Sequence, residues 1–326
     1  MSDQVLADSY LAYPEELGIF QKPIQCIGVE KVHKIISYPI NNYTNQGVIQ
    51  FSIPANGSHY LDLKNIIMHV TCKIVKKDGT KLSAPKTNGG GVGVINNFFH
   101  SMFSRVDVSL QNKVLSHSDL SYGYLAYIRN LLENTESAKY KLQMQMYYPD
   151  TAASIDTMHS STPSVTDNAG LKARSKFFNE SREVEMCGKL ASDVLSISRY
   201  IPNGVALDIK LHCATPSFCL MSADSDAATT GGYKFVITKA YLEVPKIQLS
   251  PEVLVAHSEV LANTPAVFPY TKYEIKKHTI SKGSHSGEVN NPFQGRIPSE
   301  LILGIVSDTA QHGSWGKNPL CFETLN

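Results

Sequence analysis

Val94–Glu133 reads VINNFFHSMFSRVDVSLQNKVLSHSDLSYGYLAYIRNLLE, and three periodicities succeed one another within it. Val94, Ile95, Phe98, Phe99, Met102 and Phe103 recur at helix-like spacing. Val106, Val108 and Leu110 then alternate with Arg105, Asp107 and Ser109, the period of two that marks a strand with one wet face. Asn112-Lys113 punctuates and Val114-Leu115 resumes. Leu120, Tyr124, Tyr127 and Leu131 return to helical spacing beside Leu125, Ile128 and Leu132, with Asp119 placed to cap that helix. One strand is thus bracketed by two helical pieces, in a chain that is otherwise strand-like.

Working outward, HKIISYPI and VIQFSIP flank the turn-like NNYTNQG, and Asn56-Gly57 marks another turn. Leu61, Leu63, Ile66, Ile67, His69, Thr71, Lys73 and Val75 describe a long strand entered through a bend and closed by Asp78-Gly79. Residues 80–93 read as a loop, 149–168 as a polar surface excursion. Val184, Met186 and Gly188 alternate with charged neighbours; Leu207, Ile209, Leu211 and Cys213 face one way, Asp208, Lys210 and His212 the other. YKFVITKAYLEVPKIQ reads as a long closing strand, where Pro245 predicts an edge or an end. Ser250, Pro251 and Glu252 open a capped helix, the best domain boundary in the chain. Strands resume at TKYEIKKHTI and ELILGIVSD. Helices are expected only at about 94–103, 120–146, 168–178 and 250–262. Roughly eight to ten strand candidates without a βαβ rhythm predict an all-β sandwich or jelly roll, and the residues alone do not choose among sandwich topologies.

At 326 residues with 42% hydrophobic and 18% charged content, the chain can fill a core. A net charge of +1 argues against a protein that grips nucleic acid through its phosphates. The six cysteines, at 26, 72, 187, 213, 219 and 321, form no C-x-x-C, and Cys72, Cys187 and Cys213 sit in apolar runs that predict buried free thiols. The N-terminus has neither the basic nor the apolar region of a signal peptide, and no apolar run approaches a membrane span. The chain therefore reads as intracellular, soluble and reduced, with the sequons at Asn42, Asn56 and Asn179 unused.

Motifs with chemistry are scarce. Gly89-Gly90-Gly91-Val92-Gly93 lacks the Lys-Ser/Thr of a phosphate loop and reads as a loop tip. Gly283-Ser284-His285-Ser286-Gly287 has His where a nucleophile elbow needs Ser, and reads as a hairpin tip. The eleven histidines show no metal-ligand spacing; His212 and His257 read as surface or rim residues. Arg105, Asp107 and Asp208 fall on polar strand faces. The expectation is no catalytic, cofactor or metal site. Tyr122, Tyr124, Tyr127, Tyr140, Tyr147 and Tyr148 crowd into one stretch and are the candidate subunit-contact residues, with local packing the equal alternative. A carbohydrate-binding jelly-roll module is a second functional class, but no dense Asp/Asn loop for calcium is present.

Six segments also carry a resemblance. NNFFHSMFSRVDVSLQNKVLS is one, and five more, HYLDLKNIIMHVTCKIVKKDGT, NAGLKARSKFF, PSFCLM, SPEVLVAHSEVL and WGKNPLCF, fall in the order of the major capsid proteins of Polinton (Maverick) elements and adintoviruses, which the chain resembles from about Tyr38 to Asn326. The resemblance implies a double jelly roll of the hexon-like capsid type with helices inserted in the first roll. It implies a non-enzymatic structural protein that forms homotrimers with pseudo-hexagonal outline, contacts neighbouring capsomers and a minor capsid or penton protein, and resides in the virion. A domesticated, element-derived host protein looks the same in sequence. Residues 1–32 are then an arm, 33–248 the first roll, and 249–326 a linker helix with the start of a second roll. Family members continue past the NPLCF motif, and the roughly four strands expected after Pro265 fall short of the eight that close a roll. The second roll is therefore expected to be incomplete in a fragment, aggregation-prone or partly disordered after about residue 264.

Overall fold

The computed structural model describes residues 28–43, 47–55, 57–82, 91–117, 121–157, 167–222, 232–281, 283, 288–289, 293 and 297–322. Its strands are β1 (Val29–Ser37), β2 (Val48–Ile53), β3 (His59–Leu61), β4 (Ile67–Lys76), β5 (Val92–Val94), β6 (Phe103–Leu110), β7 (Lys113–His117), β8 (Val184–Gly188), β9 (Leu207–Cys213), β10 (Leu220–Ser222) and β11 (Tyr233–Leu249). Helices are short: α1 (Phe98–Ser101), α2 (Tyr122–Glu133), α3 (Glu136–Lys139), α4 (Ala169–Phe177), α5 (Pro216–Cys219), α6 (Pro251–Leu261) and α7 (Asp308–Gln311).

Pairing among the long strands is nested. β1 pairs with β11, β2 with β9, β4 with β8 and β6 with β7, all antiparallel. The contacts β11–β4 and β9–β6 join these pairs into two sheets, ordered β1-β11-β4-β8 and β2-β9-β6-β7. First strand with last, second with next to last, and so inward, is the winding of a jelly roll, two Greek keys on facing sheets. The eight-stranded roll closes between Val29 and Leu249.

Alternation explains why the sheets face each other. Met68, Val70, Cys72 and Ile74 of β4 and Ile237, Ala240, Leu242 and Val244 of β11 point inward. They meet Ile49, Phe51 and Ile53 of β2, Val106 and Val108 of β6, and Leu207, Ile209 and Leu211 of β9 in one shared core. On β9 and β8 this is the face expected from the sequence. On β4 the bend through Leu63–Asn65 shifts the parity, so His69, Thr71 and Lys73 face outward and the residues between them fill the core.

Several expectations are corrected. Pro245 lies in a central strand. It falls in the gap where β11 stops pairing with β4 at Glu243 and starts pairing with β3 at Lys246, so its missing N–H is not needed on that side. Its carbonyl still accepts the N–H of Asp62. The helix expected over 94–103 is only Phe98–Ser101: Val92–Val94 pairs with Leu220–Ser222, and Asn97 at φ 55° breaks the run. The stretch 120–146 is three pieces, because Asn134 and Thr135 are extended and Thr135 recaps the chain on Ala138. β1 starts at Val29, inside the stretch read as arm. The strands expected in 271–280 and 300–308 do not form. The described residues there make no ladder, since an apolar run becomes a strand only beside a partner, and Asp308–Gln311 is helical. Leu120, Asp119, the glycine tip at 89–90 and residues 284–287 lie outside the described residues.

Candidate assembly surfaces

The helical insertion between β7 and β8 is held by a buried cation. Arg174 of α4 has no solvent exposure. Its Nε donates to the Val94 carbonyl at 2.9 Å, and its other nitrogens donate to the Tyr148 carbonyl and, at 2.6 Å, to Asp150. Asn168 caps α4 through Leu171 N–H and also takes the N–H of Thr151, so the start of the 149–168 excursion is tied to the helix that follows it.

A C-terminal strap lies across this insertion. Asn318 donates its N–H to Asp156 at 2.7 Å and its amide to Asp150 at 3.4 Å, while Lys317 reaches Asp156 at 3.1 Å. Leu320 is buried, Trp315 meets Tyr233 edge-on, and the Phe322 ring stacks on Tyr127 with Tyr124 at its edge. Upstream, Arg129 of α2 chelates Glu133 and lies 4.6 Å from the Tyr273 ring, whose hydroxyl donates to Glu133. The WGKNPLCF motif, placed in a second roll by sequence, therefore docks on the first.

Among the described residues, two outward surfaces stand out for their exposed apolar side chains. One is the outer face of the β1-β11-β4-β8 sheet. There His69 sits 3.5 Å from Glu185 and 3.3 Å from Glu243, with its ring stacked on Tyr241 at 4.5 Å, and Lys34 pairs with Glu243. Burial, and then the Glu185 and Glu243 carboxylates, push the neighbouring Cys187 thiol up. Val32, Ile36, Tyr38 and Ile40 continue this face exposed along and beyond edge strand β1. The other is the stretch after α6, where Ile297 is 98% exposed and Leu301, Ile302, Leu303 and Ile305 are all exposed in chain without regular secondary structure. The α6 helix itself is seated by Val253 and Leu254 on Tyr60, Ile247 and Leu249, and His257 bonds the Tyr60 hydroxyl at 3.0 Å.

The six candidate tyrosines separate. Tyr122, Tyr124 and Tyr147 are buried within this chain, Tyr127 and Tyr148 are half-buried, and Tyr140 is 74% exposed. Burial pushes the phenols of Tyr122, Tyr124 and Tyr127 up. The first three have no free surface to offer, because the strap and the insertion already cover them. On the other sheet Arg105 and His212 both pair with Asp107, at 2.7 and 3.2 Å, on the outward face that the alternation predicts. Among the described residues no group of three or more His, Cys, Asp or Glu is placed to hold a metal, and no helix is long and apolar enough to cross a membrane.

No family model matches the chain. An uncharacterised protein of Caenorhabditis elegans is 21% identical over 289 residues, covering 87% of this chain and 65% of its own length. Among solved structures, the Faustovirus major capsid protein is similar at 11% identity and TM-score 0.44, over 74% of this chain and 58% of that one. The Sputnik virophage structure is similar at 10% and 0.45, over 77% and 55%. The mavirus major capsid protein is similar at 15% and 0.36, over 76% and 53%. The chain thus spans just under two thirds of the curated relative and little more than half of these viral chains. The jelly roll is assigned from the nested strand order, not from these scores.

Proposed function

We propose that the chain is a structural subunit of a protein shell, a major capsid protein of the Polinton and adintovirus kind, without catalytic activity. The observation that carries the reading is the nested strand order, with helices inserted between β7 and β8. A jelly roll is a rigid block whose loops, gathered at its ends, are free to make contacts. The ordered sequence segments supply the family.

Residues 249–326 hold the linker and the beginning of a second roll, apart from the strap at 314–322, which docks on the first; the exposed Leu301–Ile305 run is a strand awaiting its neighbours, which the greater length of the nematode relative supports. Three copies close by head-to-tail contacts into a trimer with pseudo-hexagonal outline, the cyclic result of a heterologous interface. Tyr140, with Met144 exposed near it in sequence, and the free edges of Tyr127 and Tyr148 are the tyrosine contacts left to such an interface. Neighbouring capsomers and a minor capsid or penton protein are the partners, the virion is the location, and nucleic acid is not bound specifically. The nematode relative favours a second form of the same reading, a copy resident in an animal genome.

Mass photometry followed by negative-stain microscopy tests this. Threefold particles are expected, and a chain that stays monomeric up to high concentration contradicts it.

A further inference from the structure

His100 lies inside the molecule and belongs to a hydrogen-bond chain that admits one proton arrangement. Its ring is 2% exposed. Nδ1 is 2.9 Å from the Tyr122 hydroxyl, and Nε2 is 3.0 Å from Oε1 of Gln145. The Tyr122 oxygen already accepts the Ala191 N–H at 3.0 Å. Gln145 Oε1 can only accept, and Asn130 also points its amide at it, at 3.5 Å. The Nε2 nitrogen must therefore carry the proton, Nδ1 must accept, and the Tyr122 hydrogen goes to Nδ1. The chain ties together α1 (His100), α2 (Tyr122, Asn130), the turn at Tyr140–Gln145 and the loop after β8 (Ala191).

A second proton on this ring has no place. It would sit on Nδ1, against the hydroxyl hydrogen of Tyr122, and force that hydroxyl to turn away from its acceptor. Nor, among the described residues, does a carboxylate contact the ring to balance the charge. The cavity of about 310 Å3 beside His100 is lined by Lys64, Arg129 and Lys189, with Glu133 its one acid. Glu133 is already chelated by Arg129 and takes the Tyr273 hydroxyl. Lys189 is held by Asn65, and the nearby Asp193 carboxylate accepts from Val194 N–H and the Ser192 hydroxyl. Protonated His100 would thus share the cavity with three cations, of which Arg129 acts on the ring. In agreement, burial depresses its pKa to about 4; the Gln145 hydrogen bond pulls it up by less, and Arg129 pushes it down by less again.

We propose that the helical insertion is an acid-opened clamp: protonation of His100 breaks the Tyr122–His100–Gln145 chain, loosens α2, and frees the 272–277 segment that α2 holds through Arg129 and Glu133. The same helix carries both sets of contacts, with Tyr122 and Asn130 facing His100 and Arg129 and Glu133 holding Tyr273. The polar cavity gives water a route to the ring once it is charged. The direction follows from linkage. The open form, with the ordinary histidine pKa, binds more protons than the closed form, so closure is fully stable above about pH 6.5 and is lost as pH falls toward about 4. Opening increases by up to about two orders of magnitude across that interval. The clamp is a property of this chain and does not depend on the shell reading; in a shell subunit it would free the 272–277 segment from the roll in acid.

The experiment is hydrogen exchange by mass spectrometry on the full chain from pH 7 to 4, corrected for intrinsic rates, comparing wild type with His100→Gln and Tyr122→Phe. Acid is expected to raise exchange in peptides covering 122–145 and 272–277 while β4 and β11 stay protected, and His100→Gln is expected to abolish that pH dependence. Tyr122→Phe, which removes the hydroxyl that occupies Nδ1, is expected to move the opening to higher pH. A His100→Gln protein with the wild-type pH profile overturns the proposal, as does simultaneous opening of insertion and sheets. Should His100→Gln fail to fold, nitrogen NMR of the wild-type imidazole decides: a neutral Nε2–H ring that titrates below pH 5 supports the clamp, and a midpoint above 6 overturns it.

Discussion

Arg174 shows how much rests on one side chain. A guanidinium fully out of water is tolerated because it has a carboxylate and two carbonyls as partners. Arg174→Ala leaves Asp150 buried with little but the Asn318 amide, and should cost about 3–5 kcal/mol in urea unfolding. Arg174→Met combined with Asp150→Asn should cost clearly less than the sum of the two single changes, because no buried charge is left alone; additive losses would contradict the pairing. Gly170 is a second critical point: a Cβ there would run into the Pro149 carbonyl, so Gly170→Ala should destabilise by about 1–3 kcal/mol although it sits in a helix. None of this was legible in the sequence, where Arg174 stands as one of three basic residues in NAGLKARSKFF. His100 left a clue that went unread. It stands in the middle of FFHSMF, an apolar run at helical spacing, and such a histidine is a buried one. The tyrosine cluster was visible as a cluster, but whether neighbours or partners cover a ring depends on Phe322 and Phe218, far away in sequence.

Elements with strong local grammar were read correctly. The β9 alternation, the Ser250-Pro251 start of α6, where Ser250 takes the N-cap position without a side-chain cap bond, and the turn at Asp78-Gly79 depend on residues within a few positions of one another. The strap at 314–322 was not read, because it has no periodicity and is held by side chains meeting distant loops. Leu320→Ala should cost about 2–5 kcal/mol of strap docking, the range for a buried leucine. The chain's single tryptophan reports it: Trp315 packs against Tyr233, so its emission should shift red at lower urea than the sheet signal in circular dichroism. Coincident transitions would mean that the strap and the roll unfold as one unit. The strap also makes truncation costly. A chain ended near Lys246 loses the end of β11 and uncovers Tyr124 and Tyr127, and should be less soluble than the full chain as measured by light scattering.

At the scale of the molecule, the nested pairing was beyond local reading, since Val29 opposes Leu249 and Val48 opposes His212. Period-two runs announce strands but do not name their neighbours. The all-β class was therefore legible, while the jelly-roll order needed coordinates or the family resemblance. The strands expected after α6 mark the limit from the other side: the pattern was present, and among the described residues no strand pairs with it. Leu301 to Ile305 lies exposed, and under the proposed function it is a surface through which copies would associate. Leu303 is 86% exposed, so Leu301→Lys with Leu303→Lys should leave the roll's stability within about 0.5 kcal/mol. Sedimentation velocity over a concentration series, wild type against this double variant, tests the account most directly. The account predicts wild-type protein that self-associates with rising concentration and a variant that stays monomeric with an unchanged unfolding midpoint. A wild-type chain that sediments as a monomer throughout, with residues 297–306 resistant to protease, would contradict it.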